Sequence, residues 1–421
     1  QITHPSPDQP GMGFAMKKSA ALALFLALAA PAFAYAQAPT RAELARVDRI
    51  LRATPLIDGH NDLPWAIKSD HGNDLANVDL NSDTRTLTPP LHTDIPRLRQ
   101  GRLGAQFWSV YVPASLKGLD ATRATFEQID LTRRMIAAYP QTFEFADSAA
   151  DIVRIHRQRR IASMFGMEGG EAINNNLALL REFRAAGVLY MTLTHSQNTD
   201  WVDSATAPPQ HGGLSPFGEE VIREMNRVGM LVDLSHVSAD AMRDALRVST
   251  APVIFSHSSA FGVTPHPRNV PDDVLELVRA NGGVVMVNFF PAFTSTEVWE
   301  WGSRRSAEEA RLRALNPATP TAVTEGVAAW VEANPRPAID VGIIADHIEH
   351  IARVASRDNV GIGSDFDGVP WLPEGLDGVE DYPNLFVELM RRGWSDRDLA
   401  KLAGGNLLRA LRQAEQVAAR S

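Results

Sequence analysis

The chain has 421 residues, 44% of them hydrophobic, which is enough to bury one large core or two ordinary ones. Its 41 basic and 50 acidic residues give a formal net charge of −9, and there is no basic run of note, so nucleic acids and anionic membrane surfaces are not expected partners. The absence of cysteine excludes disulfides, thiolate metal sites, a cysteine nucleophile and a lipoprotein anchor.

The first predicted element is a targeting segment at residues 16–36. Two lysines follow Met16, an apolar run extends from Ala20 to Ala30, and alanines at 32, 34 and 36 form A-x-A-like cleavage sites. This is the pattern of a secretory signal peptide, and the run is shorter than the roughly 20 residues of a membrane span. Residues 1–15 are interpreted as tag or upstream sequence. We expect a secreted or periplasmic protein without a membrane anchor and with a single domain at residues 40–421.

From residue 40 onward, short apolar runs alternate with helical stretches, which is the pattern of parallel βα units. Most runs are continuously hydrophobic, as expected of strands that are covered on both faces. Eight runs are predicted to be strands: Pro55–Gly59, Gly104–Val112, Ile161–Met167, Val188–Leu193, Met230–Leu234, Val253–Ser256, Gly283–Asn288 and Val360–Ser364. Eight such units predict an α/β fold of the (β/α)8 TIM-barrel type. A doubly wound open sheet is the alternative, but no glycine-rich phosphate-binding motif follows the first run.

The segments between the runs have apolar residues three and four apart, as amphipathic helices do. The predicted crossover helices are Asn176–Ala186, Pro216–Val228, Ala239–Val248 and Val270–Ala280, and Val341–Val354 is predicted to precede the eighth strand. A helical insertion lies between strands seven and eight, at about residues 294–358, with helices expected at Ser306–Ala314 and Thr321–Ala333. A Ser-x-x-Asp start at Ser395 predicts a terminal helix.

The first strand runs directly into His60-Asn61-Asp62. Residues i and i+2 of a strand point the same way, so His60 and Asp62 can converge on one point just beyond the strand. A divalent ion such as zinc requires nitrogen and oxygen donors held in this way. The alternative is a turn with an Asx-type cap, which this stretch alone does not exclude.

Five further strands end in a histidine or an acid, and in a barrel these ends surround one mouth, where the active site lies. The residues are Glu168, His195, His236, His257 and Asp365. A single strand-end histidine is more often structural, but six such strand ends together favour a metal site. The donors suit two ions better than one, because Glu168 has two oxygens able to bridge.

The remaining histidines are predicted not to bind metal. His347 and His350 are expected on the polar side of their helix, and the others fall in loops or helices: His71, His92, His156, His211 and His266.

The motifs at the strand ends resemble those of the membrane (renal) dipeptidase family of zinc dipeptidases. They are Ile57-Asp58-Gly59-His60-Asn61-Asp62, Glu168-Gly169-Gly170, Leu193-Thr194-His195-Ser196, Val232-Asp233-Leu234-Ser235-His236, Phe255-Ser256-His257-Ser258, Arg268-Asn269-Val270-Pro271-Asp272 and Gly363-Ser364-Asp365-Phe366-Asp367-Gly368. The resemblance extends in order over essentially the whole mature chain, and it implies a barrel of the metal-dependent hydrolase kind.

The resemblance implies a role for each strand-end residue. His60 and Asp62 would hold one zinc ion, and His236 and His257 the other. Glu168 and a water or hydroxide would bridge the two ions. His195 would bind the substrate and the developing oxyanion, and Arg268 the C-terminal carboxylate of the substrate.

Asp365 would transfer the proton. Two alternatives stay open for this residue: Asp367 could take that role instead, or Asp365 could orient a ligand histidine.

Two positions depart from the family pattern. Gln197 stands where the family often has a cysteine, so no disulfide forms there. Phe289-Phe290-Pro291-Ala292-Phe293 lacks the tyrosine that the family commonly offers near the substrate, which removes one expected contact to the substrate carboxylate.

These observations predict an exported dinuclear zinc dipeptidase that hydrolyses free dipeptides, L-Xaa-L-Xaa or L-Xaa-D-Xaa, by attack of a bridging hydroxide on the scissile carbonyl. The resemblance also implies opening of some β-lactams and a homodimer. One alternative is another barrel amidohydrolase that acts on cyclic or N-acyl amides, although the His-x-Asp start and Arg268 argue against it. The other alternative is a non-catalytic ligand-binding relative, but none of the expected metal-binding residues is missing.

Overall fold

The computed structural model describes residues 38–421, so the predicted signal peptide and the segment before it lie outside the described residues. Nine strands form one parallel sheet: Leu56–Asn61 (β1), Leu103–Tyr111 (β2), Phe143–Phe145 (β3), Ile161–Glu168 (β4), Val188–Thr192 (β5), Leu231–Asp233 (β6), Ile254–Phe255 (β7), Val284–Val287 (β8) and Val360–Ile362 (β9). All strands except β3 follow one another in the order β2-β1-β9-β8-β7-β6-β5-β4, and β2 pairs with β4. The eight strands therefore close into a parallel barrel, which confirms the predicted (β/α)8 fold.

The short strand β3, which is not part of the closed barrel, was not predicted from the sequence. Its three residues pair with Ile161, Ala162 and Ser163 at the beginning of β4. Because β2 occupies the other edge of β4 from Ala162 onward, β3 lies on the same side of β4 as β5. A three-residue Phe-Glu-Phe segment is too short to give a periodic signal, and only the free edge of β4 makes it a strand.

The helices surround the barrel. They are Arg41–Ala53 (α1), Leu63–Asp70 (α2), Ile95–Gln100 (α3), Gly118–Ala138 (α4), Ala149–Arg157 (α5), Leu177–Ala185 (α6), Pro216–Val228 (α7), Ala239–Val248 (α8), Asp272–Asn281 (α9), Pro291–Thr294 (α10), Thr296–Leu315 (α11), Pro320–Ala333 (α12), Val341–Val354 (α13), Tyr382–Arg391 (α14), Asp396–Ala400 (α15) and Asn406–Ala418 (α16). Across residues 38–421 none of these helices combines the length and apolarity that a bilayer span requires.

Local sequence signals explain where several helices begin. Ser215 and Ser238 cap α7 and α8 through their side chains, and both helices have the bounds that the sequence predicted. Ser395 caps α15 in the same way, and a π-helical turn at Lys401–Gly405 connects α15 to α16.

The insertion between β8 and β9 consists of α10, α11 and α12 and leads into α13. Helix α11 begins at Thr296, ten residues before the predicted start, because Ser295 accepts a hydrogen bond from the Val298 amide and caps the helix there. The prediction of a helical insertion is thus confirmed, but α11 is longer than the predicted helix at Ser306–Ala314.

One side chain crosses the barrel interior and connects strands that are not neighbours. The hydroxyl of Tyr190, on β5, lies 3.0 Å from the carbonyl oxygen of Gly59 and 3.0 Å from Nδ1 of His60, both on β1. Gly166 leaves room for the phenol ring, since a Cβ at this position would lie 2.1 Å from Cζ of Tyr190. The contact therefore links the interior of the barrel to the strand end that carries His60.

Candidate metal centre

The strand ends at one mouth of the barrel bring together the donors that the sequence singled out. His60 belongs to β1 and Glu168 ends β4, while His236 and His257 follow β6 and β7 within three residues. All of these side chains are at least nine-tenths buried. Glu168, His236 and His257 line a cleft of about 300 Å³ together with Asp62, His195 and Asp365.

The two carboxylate oxygens of Glu168 face two different groups of donors. Oε2 lies 3.4 Å from Nε2 of His60, which is itself 3.1 Å from Oδ2 of Asp62. Oε1 lies 3.0 Å from Nε2 of His236 and 3.4 Å from Nε2 of His257. Two donors on one tetrahedral zinc ion, with bonds of about 2.0–2.1 Å, lie about 3.3 Å apart. The separations on both sides of Glu168 therefore fit metal coordination.

The hydrogen bonds of His60 fix its tautomer. The Tyr190 hydroxyl donates to the carbonyl oxygen of Gly59, so its oxygen is left to accept a hydrogen bond from Nδ1–H of His60. Nε2 is then the nitrogen that faces Asp62 and Glu168, and this buried atom has no hydrogen bond within the described residues. A cation bound here would take the place of the proton that the two carboxylates favour on this nitrogen.

His257 is held by an equivalent chain. The hydroxyl of Ser256 donates to Oδ2 of Asp233 at 2.6 Å, so its oxygen accepts from Nδ1–H of His257 at 2.8 Å. The lone pair on Nε2 of His257 then points at Nε2 of His236, 2.9 Å away. A cation between the two nitrogens would bind this lone pair of His257 together with Nε2 of His236.

Two buried aspartates, Asp58 and Asp233, hold the strand ends beneath the donors. Asp233 accepts hydrogen bonds from the Ser235 and Ser256 amides and from the Thr192 hydroxyl as well as that of Ser256. Asp58 accepts from the amide and hydroxyl of Ser364 and from the hydroxyl of Tyr382. An aspartate inside an otherwise apolar strand was the available sequence signal.

Asparagine at position 233 is expected to destabilise the protein, because its NH2 group would face donors instead of accepting from them. Asp233→Asn should lower the free energy of unfolding of the metal-free protein by about 3 kcal/mol. Asp130→Asn is the matched control: its side chain is 67% exposed on α4, and its loss should cost no more than about 0.5 kcal/mol. Denaturant unfolding measures both, and equal effects would show that the buried network is not needed.

The charges of the site favour a cation between the donors. Burial opposes charge on Glu168, but His60 and the hydrogen bonds of His236 and His257 hold the pKa of its carboxyl well below its usual value. Burial also acts to lower the pKa of His60, but Asp62, followed by Tyr190 and Glu168, raises it well above the usual value. Burial lowers the pKa of His236 and His257 well below the usual range, so these two imidazoles are neutral, as metal-binding imidazoles are. The donor set therefore fits divalent cations.

Asp365 lies beside this cluster, within 4.8 Å of donor atoms of His60 and Asp62. Its Oδ2 accepts a hydrogen bond of 2.8 Å from the Asn288 amide, and burial raises the pKa of its carboxyl to about 7. Gly368 keeps the space beside it open, since a Cβ there would lie 2.7 Å from Oδ1 of Asp365.

Asp367 has different surroundings. Its Oδ1 accepts a hydrogen bond of 2.6 Å from the backbone amide of His92, and its own amide donates to Nδ1 of His92. Asp367 is not among the residues that line the cleft. The structure therefore places Asp365 at the donor cluster and Asp367 in the contact between two loops.

His195 lines the cleft and is the most exposed of the strand-end histidines, with 22% of its side chain accessible. Its Nε2 lies 3.8 Å from Oε1 of Glu168, and burial lowers its pKa. The ring contacts Tyr111, whose hydroxyl-bearing side chain also lines the cleft. The sequence did not predict a role for Tyr111, because it ends β2 and the end of this strand carries neither a histidine nor an acid.

Arg268 is brought close to the site but does not line the cleft. Its guanidinium is buried, donates to Ser258 Oγ and to the carbonyl oxygen of His257, and lies 5.2 Å from the ring centre of Phe293, which does line the cleft. Nε of Arg268 has no hydrogen-bond partner within the described residues, and burial lowers the pKa of the group to about 10.

One expectation about the other histidines was wrong. His347 was placed on the polar side of its helix, but it is fully buried: Nδ1 accepts from the Ala260 amide and Nε2 donates to the carbonyl oxygen of Thr294. His350 is buried as well and pairs with Asp272. The reason is that α13 is covered by the inserted segment and by α9, so it has no wide solvent-facing side here. None of the seven other histidines belongs to a donor cluster within residues 38–421.

The sequence model of one protein family, described as membrane dipeptidase (peptidase family M19), matches residues 44–421. Solved structures also resemble the fold. The probable dipeptidase PvdM from Pseudomonas aeruginosa has 24% identity and a TM-score of 0.75, with 90% of this chain and 100% of that chain covered. A metallopeptidase from Rhodobacter sphaeroides, liganded with a phosphinate mimic of the dipeptide L-Ala-D-Ala, has 23% identity and a TM-score of 0.69, with 86% and 99% covered.

A third similar structure is an amidohydrolase from Pseudomonas aeruginosa, with 22% identity, a TM-score of 0.66 and coverage of 87% of this chain and 98% of that chain. At these identities the likeness to solved structures establishes the fold.

Proposed function

The chain belongs to the membrane dipeptidase family, peptidase family M19, whose members are metal-dependent hydrolases of dipeptides, and we propose that it is a dinuclear zinc dipeptidase. One observation carries the proposal: Oε2 of Glu168 faces His60 and Oε1 faces His236 and His257, at spacings suited to metal coordination. His60 and Asp62 would hold one ion, His236 and His257 the other, and Glu168 would bridge them.

The proposed substrate is a free dipeptide, L-Xaa-L-Xaa or L-Xaa-D-Xaa. The cleft volume of about 300 Å³ is at the small end for ligand pockets, which supports a short peptide over a longer chain. Beside the proposed ligands and Asp365, the cleft has apolar and aromatic walls formed by Trp65, Tyr111, Phe290, Phe293, Val369 and Pro370. These walls would exclude water from the scissile bond and favour apolar side chains.

The chain's own residues would orient the substrate and move the proton. When bound, the zinc ions would polarise the scissile carbonyl and supply a bridging hydroxide as nucleophile. His195, at the mouth of the cleft, would donate a hydrogen bond to the carbonyl oxygen as negative charge develops on it. Asp365 would accept the proton of the attacking water on its Oδ1, while Asn288 holds Oδ2 in place, and would return that proton to the departing amide nitrogen.

Arg268 is proposed to recognise the C-terminal carboxylate of the dipeptide, since a guanidinium can donate two parallel hydrogen bonds and this one has an unused Nε–H. A dipeptide amide should therefore be a poor substrate of the wild type. Arg268→Lys should raise KM for free dipeptides about tenfold or more, because lysine cannot form the bidentate pair. Equal kcat/KM for a dipeptide and its amide would contradict this role.

A hydrolysis panel tests the proposed function as a whole. We expect L,L- and L,D-dipeptides to be cleaved, and a tripeptide and an N-acylated dipeptide to be resistant. Cleavage of the N-acylated compound without cleavage of free dipeptides would instead assign the protein to the amidohydrolases of cyclic or N-acyl amides. A cyclic β-lactam belongs in the same panel, because its strained amide presents a similar carbonyl.

Export is part of the proposal and rests on the sequence of residues 16–36 alone. The N-terminal sequence of the mature protein, expected to begin just after Ala34 or Ala36, checks it.

A further inference from the structure

A second cleft lies at the opposite end of the barrel from the metal centre. Leu103 and Ile161, the first residues of β2 and β4, form part of its wall, which places it where the strands begin. Its volume is about 400 Å³, within the range of small-ligand sites. Six arginines line it, and no acidic residue does: Arg52, Arg99, Arg102, Arg157, Arg159 and Arg160.

The negative ends of nearby helices and nearby acidic side chains compensate only part of this positive charge. Helices α1, α3 and α5 end beside the cleft, and their macrodipoles contribute about 1.5 negative charges together. Asp48 pairs with Arg52 and Arg102, and Glu144 pairs with Arg160. The total is about 3.5 negative charges against six positive ones, so a surplus of roughly two to three positive charges remains in a protein whose net charge is −9.

The surplus is concentrated on particular side chains. Within residues 38–421, Arg157 and Arg159 have no carboxylate partner, and Arg99 donates only to the hydroxyl of Thr142. Arg102 and Arg159 also adopt left-handed backbone conformations, with φ of 61° and 62°, where glycine or asparagine is usual. The backbone conformation at these two positions does not favour arginine. The presence of arginine at both therefore indicates that its side chain is needed at the cleft.

We infer that this cleft binds an anionic ligand with two or more phosphate groups. Guanidinium groups match phosphate oxygens through paired hydrogen bonds, and several of them around one cleft can hold more than one phosphate. A single carboxylate would leave most of the positive charge uncompensated. The site is distinct from the proposed dipeptidase centre and does not depend on it, because the two lie at opposite ends of the barrel.

Calorimetric titration of the metal-loaded protein with fructose 1,6-bisphosphate tests the inference without a strong zinc chelator. We expect saturable binding, with fructose 6-phosphate weaker at the same ionic strength. The double variant Arg157→Gln/Arg159→Gln should weaken binding of the bisphosphate about tenfold or more. The matched control Arg279→Gln/Arg304→Gln removes two exposed arginines on α9 and α11 and should leave it unchanged.

The free energy of unfolding of the two double variants should equal that of the wild type, which shows that both are folded whether or not the protein hydrolyses dipeptides. Sedimentation with phosphatidylcholine vesicles, with and without cardiolipin, distinguishes the sources of phosphate. Cardiolipin-dependent binding that the cleft variant loses identifies a lipid headgroup, whereas binding of the bisphosphate alone identifies a soluble ligand. The inference is overturned if neither probe binds, or if the cleft variant and the control behave alike.

Discussion

Glutamine in place of Glu168 is expected to abolish most metal binding and to lower kcat/KM by more than about 10²-fold, the upper range for loss of an outer partner of a metal ligand. The substitution keeps the volume but removes the negative charge between the two proposed ions. It also turns one of the two oxygens into an NH2 group, which would face either His60 or the pair His236 and His257. Metal analysis of the purified variant, together with dipeptide hydrolysis, measures both effects.

Glu171→Gln provides a matched control three residues further along the chain. This glutamate is also buried, with 4% of its side chain exposed, but it belongs to none of the donor clusters. Burial raises the pKa of its carboxyl to about 7, so a neutral side chain should be tolerated there. We expect this variant to retain metal and activity. If Glu168→Gln also kept two zinc ions and full activity, the bridging role would be wrong.

Asparagine in place of Asp365 is expected to lower kcat by about 10²–10⁴-fold while metal content stays at the wild-type level. The leaving amine is strongly basic, so the C–N bond breaks only after the nitrogen is protonated, and an amide side chain cannot carry that proton. Binding of a competitive inhibitor should change little, because Asp365 is not one of the five proposed ligands. Steady-state kinetics, inhibitor binding and metal analysis of the same preparation test these expectations together.

Asp367→Asn is the natural comparison because it removes the other carboxylate of the same loop. The contacts of Asp367 with His92 predict an effect on stability with kcat nearly retained. An inactive Asp367→Asn with an unaffected Asp365→Asn would move the proton transfer to Asp367. Loss of metal from Asp365→Asn would mean that Asp365 instead orients a ligand.

The fold could be predicted from the sequence because the signals that specify it are local. A buried parallel strand is a short apolar run, and each of the eight runs coincides with a barrel strand. Apolar spacing predicted the bounds of α7 and α8, and in the structure serine caps fix their first residues. The strand β3 was not predicted, because it forms only by pairing with a free edge of β4. The early start of α11 was not predicted either, because it depends on a single cap ahead of a segment with a weak apolar stripe.

The donors of the site were predictable for a related reason: in a parallel barrel, strand-end residues meet whatever their separation in sequence. Their supporting contacts were not, since Tyr190 reaches His60 across the barrel and Tyr382 reaches Asp58 from a distant helix. His347 was misplaced for the same reason, because a neighbouring segment covers it. The position of Arg268 beside the cleft, and not in its wall, also depends on how separate loops pack.

We propose that two zinc ions, held on either side of Glu168, make this protein a dipeptidase. Titration of the metal-free protein with zinc, with hydrolysis of a free dipeptide as the readout, tests it directly. We expect no activity without metal and a rise in activity that ends at two equivalents of zinc per chain. Full activity at one equivalent, or activity that does not depend on added metal, would contradict it.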